Sequence, residues 1–158
     1  MEKATLNKVL RKIPYGLYIV GSKTEGGVAA IIANWMTQVS FSPPLIGVAI
    51  ESDSNMRVHI NRSKFFSLNF LPSGSVELAK PFLKKSKQEG FKLNNMNFTL
   101  SNQGAPFLEV AVDSFECRVT QSMQTGDHVF FVGEITDGLF KREHGILTMK
   151  ETGWKYSR

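Results

Sequence analysis

Short apolar runs separated by turn residues make up most of the chain. Alternating or continuous apolar positions over such lengths, bounded by Gly, Pro and Ser, predict β-strands. The run LIGVAIES, which begins at Leu45, is apolar at nearly every position, a pattern typical of a strand buried on both faces. The other predicted strands are YGLYIVGS, VAAIIANW, FFSLNFL, FLEVAVDSFECRVTQSM and HVFFVGEITDGLF.

Helical spacing is confined to short segments. The first predicted helix carries the apolar residues Leu6, Val9, Leu10 and Ile13 and ends at Pro14. The segment NMRVHINRS predicts a second helix, and SVELAKPFLKKSK predicts a third that Pro81 weakens. Residues 90–104, which include four asparagines, are predicted to be irregular. At least six short strands with two or three helices, and no regular alternation of strand and helix, favour an antiparallel barrel or sandwich.

The net charge of +5 raises the question of a nucleic-acid partner. The one tight basic group, Lys84, Lys85 and Lys87, lacks interleaved aromatic residues for base stacking, so we interpret it as a solvated helix end. A basic surface equally suits anionic small molecules, such as phosphorylated cofactors. We therefore expect no nucleic-acid partner.

Cysteine usage and hydropathy predict a cytoplasmic protein without a membrane partner. Cys117 is the only cysteine, so no internal disulfide forms. It shares one strand face with Phe115 and Val119, which favours a buried structural thiol over a nucleophile. The N-terminal residues do not have the pattern of a secretory signal, and no apolar run approaches the ~20 residues that span a bilayer.

Common catalytic motifs are missing from the sequence. No GxGxxG follows a strand, no GxxxxGK occurs, and the three histidines lie too far apart for a recognisable metal motif. We therefore expect no metal site. Paired carboxylates in a hydrolase-like context are also missing, so the sequence offers little for acid-base or covalent catalysis by side chains alone. If the protein is an enzyme, a cofactor is expected to supply its chemistry.

The segment NWMTQVSFSPPLIGVAI, from Asn34 to Ile50, departs from a simple strand pattern. Thr37, Gln38 and Ser40 place three hydrogen-bonding side chains among apolar residues, directly before two prolines. Such a cluster indicates a polar guest facing the strand. The alternative is that these side chains bond to the backbone at a strand edge.

The order of four segments resembles the flavin reductase-like, FMN-binding split-barrel proteins, including the flavin reductase module of some flavodiiron proteins. These segments are IPYGLYIVGSK, ANWMTQVSFSPPLIGVAIES, FFSLNFLP and ECRVTQSMQTGDHVFFVGEI, and the resemblance extends from about Ile13 to Tyr156. It implies a mainly β, FMN-binding split β-barrel that is antiparallel and Greek-key-like, with two or three short helices. We expect residues 1–158 to form this single domain.

The resemblance implies that residues 34–40 line the isoalloxazine ring and ribityl chain of FMN. The ring is a plane whose polar rim needs hydrogen-bond partners and whose faces need apolar cover. Hydroxyl and amide side chains would serve the rim, and Trp35 and Met36 would cover a face. The implied cofactor-binding residues of this segment are Asn34, Trp35, Met36, Thr37, Gln38, Val39 and Ser40.

The phosphate of FMN is expected at the start of the second helix. The resemblance implies Ser52, Ser54 and Asn55 as its ligands, because a helix start presents unpaired N–H groups to an anion. Arg57 would add positive charge, whereas Asp53 would repel a phosphate if it pointed inward. The alternative is that Ser54 is only a helix cap.

The segment TGDHVFF is expected on the nicotinamide side of the site. The resemblance implies Gly126, Asp127 and His128 there, with His128 as the catalytic residue. The alternative is a turn after which His128 merely begins a strand. An aromatic residue near the C terminus, Trp154 or Tyr156, is expected to close the pocket.

Together these features predict an FMN-binding, NAD(P)H-dependent flavin reductase. NADH or NADPH would supply a hydride to flavin N5, and electrons would pass to free flavin or a redox-protein partner. The resemblance also implies a homodimer. Two alternatives stay open at this point: a flavoredoxin-like electron-transfer flavoprotein that a protein partner reduces, and a non-catalytic ligand-binding barrel.

Overall fold

The computed structural model describes residues 2–141 and 143–154. Strands dominate these residues, and the helices are short. None of the helices in the described ranges is long and apolar enough to cross a membrane. The helices are α1 (Lys3–Leu10), α2 (Asn55–Ser63), α3 (Val76–Ala79), a 3-10 helix (Lys80–Leu83) and α4 (Met149–Thr152).

Two antiparallel sheets contain the strands. A seven-stranded sheet has the order β2-β1-β5-β10-β11-β4-β3, and a smaller sheet has the order β6-β7-β8-β9. This arrangement confirms the predicted mainly β, antiparallel fold. The strands are β1 (Tyr18–Lys23), β2 (Val28–Ala33), β3 (Met36–Ser40), β4 (Leu45–Glu51), β5 (Phe65–Phe70), β6 (Gln88–Glu89), β7 (Lys92–Leu93), β8 (Met96–Leu100), β9 (Pro106–Leu108), β10 (Asp113–Thr125) and β11 (His128–Phe140).

The large sheet curls around a buried cluster. Val20 of β1 and Val48 of β4 belong to the same apolar cluster, although three strands separate β1 from β4 in the sheet. Met56 and Ile60 of α2 are fully buried in this cluster. The strands therefore form a barrel that α2 fills at one side, while β2 and β3 are the two ends of the strand order.

A second apolar cluster covers the other face of the first strands. Ile19 of β1, next to Val20, packs there with Phe82 of the 3-10 helix and Phe98 of β8. Burial on both faces agrees with the pleat, in which successive side chains point to opposite sides. The second sheet and the α3 region therefore stabilise the barrel from outside.

Asn69 of β5 is a buried polar residue whose amide donor and amide acceptor both have hydrogen-bond partners. Its Nδ2 donates to the carbonyls of Ile19 (3.2 Å) and Pro106 (3.1 Å), and its Oδ1 accepts from Leu108 N (2.7 Å) and Ser114 Oγ (2.9 Å). Burying an amide is tolerated because the partners replace water. This network ties β1, β5, β9 and β10 together.

The sequence predictions for the middle of the chain need one correction. Residues 90–104 are not irregular, since β7 and β8 lie within them. Asn94 and Asn95 form the turn between these strands with positive φ angles of 49° and 67°, a conformation that asparagine tolerates. Pro81 lies in the 3-10 helix that follows α3, as its effect on helical hydrogen bonding predicts. The four-residue α4 was absent from the prediction.

The buried thiol is confirmed. Cys117 is fully buried, and burial, with the charge of Glu116 as a lesser cause, raises the pKa of its thiol to about 12. Such a group is an apolar core residue and not a nucleophile.

Candidate functional site

Two adjoining cavities lie at the end of the barrel where β11 begins. Their volumes are about 440 Å³ and about 940 Å³, within the range of sites for small molecules and cofactors. Four residues line both cavities and form the wall between them: Asn34, His128, Met149 and Trp154. Trp154, which the sequence predicted to close the pocket, is therefore in this wall, whereas Tyr156 lies outside the described residues.

Asn34 lies in the connection between β2 and β3 and is 8% exposed. Its Nδ2 is buried without a hydrogen-bond partner among the described residues. A buried donor in this state is costly unless a ligand satisfies it. Asn34 thus fits a site that is completed by a polar guest.

His128 is the first residue of β11 and is 5% exposed. Its Nδ1 lies 2.6 Å from Oδ1 of Asp127, and its ring lies against Trp35, with 4.5 Å between centroids and 40° between planes. The turn before it contains Gly126 at φ 63°, a left-handed conformation that glycine adopts without strain. Local backbone and two side chains therefore fix the orientation of the imidazole.

The smaller cavity has groups that suit an anion. Ser54, the N-cap of α2, lines it and accepts a hydrogen bond from Met56 N (3.2 Å). Lys84 and Lys85 line the same cavity, with Glu51 as the opposing charge. Lys84 is the C-cap of the 3-10 helix, and Lys84 and Lys85 are both exposed, which confirms the predicted solvated helix end. No sequence signal places these lysines in the lining of the same cavity as Ser54.

Ser52, also predicted around the phosphate, makes contacts within the protein. Ser52 Oγ accepts a hydrogen bond from Gln124 (2.7 Å), and the carbonyl oxygen of Ser52 accepts one from Arg57 Nε (2.6 Å). Asn55 is exposed as the first residue of α2.

Residues 36–40 form the edge strand β3, away from the lining of either cavity. Thr37, Gln38 and Val39 are exposed, and Met36 packs against the barrel cluster. Thr37 Oγ1 donates to the carbonyl of Gln38 (3.2 Å), and Gln38 Nε2 donates to that of Ser40 (3.2 Å). In this chain the polar side chains are thus bonded to backbone, as the alternative interpretation proposed.

The larger cavity lies between α1 and the barrel. Tyr15 and Trp35 supply aromatic surface, with 6.4 Å between their centroids. Arg11, Lys12 and Lys150 outnumber Asp127 in its lining, so its electrostatic character is positive. Such a cavity suits an anionic ligand with a planar ring.

Further titratable groups lie nearby. Burial raises the pKa of Tyr18, which lines the larger cavity. Burial, with Arg62 and Lys85 as further causes, lowers the pKa of His59 on α2. No three His, Cys, Asp or Glu side chains in residues 2–141 and 143–154 come together in a way that could hold a metal ion.

Comparison with known families identifies the domain. The profile of the flavin reductase-like domain matches residues 10–155. The chain belongs to this family. The resemblance inferred from the four sequence segments is therefore confirmed.

Curated relatives include stand-alone proteins and modules of larger ones. An NADH-dependent FAD reductase of Streptomyces globisporus is 29% identical over 139 residues, covering 85% of this chain and 74% of the relative. Diflavin flavoprotein A 1 of Synechocystis is 29% identical over 142 residues, covering 89% of this chain. The chain spans 25% of the length of that diflavin flavoprotein.

Solved structures share the fold. The Streptomyces globisporus NADH:FAD oxidoreductase SgcE6, solved in complex with NAD and FAD fragments, superposes with a TM-score of 0.82 at 23% identity, covering 96% of this chain and 90% of that one. A Thermus thermophilus FMN-binding protein gives a TM-score of 0.71 at 27% identity, covering 82% and 72%.

Proposed function

We propose that this chain is an NAD(P)H:flavin oxidoreductase that binds FMN in the smaller cavity and NADH or NADPH in the larger one. The observation that carries this proposal is the shared wall of Asn34, His128, Met149 and Trp154 between two cavities of ligand size. Two ligands in adjoining cavities can bring their reacting rings together, which is the main requirement for transfer between them.

The residues present fit a flavin. The buried Nδ2 of Asn34 needs an acceptor, and the polar rim of an isoalloxazine offers carbonyls and ring nitrogens. Ala33 and Ala49 leave room in the smaller cavity, and Trp154 gives apolar cover. When bound, a flavin supplies the redox chemistry, accepting a hydride at N5 from a reduced nicotinamide and passing electrons to free flavin or a redox partner.

The phosphate of FMN is proposed to bind at the Ser54 end of the smaller cavity. The positive end of the α2 dipole lies there, and Lys84 and Lys85 supply positive charge. The N–H groups of Met56 and Arg57 already donate to Ser54, which leaves the Ser54 hydroxyl and Asn55 as proposed contacts. Ser52 and Asn55 flank this helix start and remain proposed ligands. Residues 36–40 line neither cavity, so the flavin contacts that the resemblance implies for them are proposed as an alternative placement of the ring, against β3, which Thr37→Ala tests.

The residues of the larger cavity bind and orient a nicotinamide nucleotide. Arg11, Lys12 and Lys150 attract its phosphates, and Trp35 offers a stacking surface. His128 is held by Asp127 and Trp35 at the boundary of both cavities, where its imidazole can position the nicotinamide. The side chains thus orient and shield the reactants, and no acid-base pair is required.

We expect the domain to form a cytoplasmic homodimer. Phe41 at the end of β3 is 89% exposed, and Met123, on the part of β10 beyond its pairing with β5, is 60% exposed. Exposed apolar side chains beside open strand edges favour association. Light scattering should give about twice 17.7 kDa, and the mass of a single chain would contradict the dimer.

His128→Ala tests the proposed nicotinamide side. It should slow reduction of FMN-saturated protein by NAD(P)H about tenfold, equivalent to about 1.4 kcal/mol of transition-state positioning, while FMN affinity changes less. Thr37→Ala is the comparison variant, since a flavin contact from β3 would lower FMN affinity first. Stopped-flow absorbance measures both variants. An unchanged reduction rate in His128→Ala would show that His128 has only a structural role.

A further inference from the structure

The C-terminal segment enters the site between two other segments of the chain. Leu17 N donates to the carbonyl of Leu147, and Leu147 N donates to that of Leu71, both at 2.9 Å. Met149 N donates to Tyr15 O at 3.0 Å. Residues 145–149 are thus anchored on both sides before α4 begins.

After these anchors, one side chain makes most of the polar contacts of α4. Glu151 Oε1 accepts from Ser73 Oγ (2.5 Å) and Gly74 N (2.8 Å), and its Oε2 accepts from Thr148 N and Thr148 Oγ1 (2.7 Å each). We name these four residues the C-terminal clasp. The hydrogen bonds, that from Ser73 above all, lower the pKa of Glu151 to about 2, so the carboxylate is charged at neutral pH.

The clasp lies next to the wall shared by the two cavities. Met149 and Trp154, on either side of Glu151 in sequence, both line that wall. No residue of α4 is fully buried, and Met149 and Trp154 are half-buried against the apolar cluster that contains Leu147. The carboxylate of Glu151 therefore adds a polar attachment to Ser73 and Gly74 beside these apolar contacts.

We propose that Glu151 is a positioning residue that holds Met149 and Trp154 in place as the wall between the flavin and nicotinamide cavities. This inference rests on the proposed function. Without the carboxylate, α4 leaves its docked position for part of the time, and only the docked fraction binds ligand at full affinity. If the helix is docked about one-fifth of the time, the apparent Kd rises about fivefold.

The first test is FMN titration, followed by flavin fluorescence, of wild type, Glu151→Ala and Glu151→Gln. The alanine variant should raise the Kd for FMN about fivefold and the KM for NAD(P)H by a similar factor, with little change in the urea midpoint. Glutamine, which keeps one carbonyl acceptor, should lie between. Glu77→Ala is the matched control, because Glu77 is an exposed glutamate on the four-residue α3 that bonds only to Lys80 among the described residues.

The second test needs no flavin. In a Trp35→Phe background, Trp154 is the only tryptophan, so its emission reports the position of the wall. Glu151→Ala should shift that emission to longer wavelength and increase quenching by acrylamide, whereas Glu77→Ala should not. Ser73→Ala should give part of the effect and add little to Glu151→Ala, since both act on one contact.

Three results would count against the positioning role of Glu151 or against the proposed function. An unchanged FMN Kd and unchanged Trp154 emission in Glu151→Ala overturn the inference. An equal loss in Glu77→Ala also overturns it, because the effect would then not be specific to the clasp. If wild type binds no flavin, the proposed function fails, and the emission of Trp154 alone decides whether Glu151 positions the wall.

Discussion

Asn34→Leu should have opposite effects on the free protein and on flavin binding. Leucine has nearly the shape of asparagine without its amide. In the free protein the Nδ2 of Asn34 is buried and has no hydrogen-bond partner in the described ranges. The substitution therefore removes a group that is unfavourable until a ligand binds.

The size of both effects follows from that one donor. A buried unsatisfied polar group costs about 1–3 kcal/mol, so the free energy of unfolding of the flavin-free protein should rise by up to that amount. Binding should weaken by at least as much, because the flavin acceptor then faces a methyl group. This corresponds to a roughly 5- to 150-fold higher Kd for FMN.

Urea denaturation of the flavin-free protein and fluorescence titration with FMN measure the two effects. Asn69→Leu is the matched control, because Asn69 is a buried asparagine whose donor and acceptor sides are both satisfied. It should destabilise the protein by about 3 kcal/mol or more and leave FMN affinity unchanged where the protein still folds. The reasoning is refuted if Asn34→Leu destabilises the free protein while its FMN Kd stays that of wild type.

Three further predictions concern charge and reactivity. Replacing Lys84 and Lys85 together by alanine should weaken FMN binding about fivefold, since each exposed charge contributes about 0.5 kcal/mol, and should leave riboflavin binding unchanged in the same titration. Cys117 should resist thiol reagents at neutral pH until the protein unfolds, because its pKa is about 12; rapid labelling of the native protein would contradict this. Glu151, whose pKa falls from 4.5 to about 2 in the folded protein, should hold the clasp fully above pH 4.5 and lose it as pH falls toward 2, measured by Trp154 emission; a loss near neutral pH would contradict the assignment.

The fold was largely predictable because its signals are local. Apolar runs such as LIGVAIES, followed by turn residues, specify strands through side-chain periodicity. The strands β7 and β8 escaped prediction because they are short, polar and interrupted by asparagines that form the turn between them. The four-residue α4 is too short to show helical periodicity, and its one local signal is the capping box of Thr148 and Glu151.

The site was predictable only in part, because cavities depend on contacts distant in sequence. Asn34 and His128 follow recognisable family motifs, and the structure brings them together. Lys84 and Lys85 line the same cavity as Ser54 only through the path of the chain after α3, which no motif records. Two interpretations of Thr37 and Gln38 were open from the sequence, and in the structure their side chains donate to backbone carbonyls.

Anaerobic absorbance spectroscopy of FMN-loaded protein tests the central claim most directly. NADH or NADPH, added without any protein partner, should bleach the absorbance band of the oxidised flavin soon after mixing. A protein that binds FMN but is bleached only after a reduced redox protein is added would be an electron-transfer flavoprotein. A protein that takes up no flavin, or whose bound flavin stays oxidised with both nucleotides, would contradict the account.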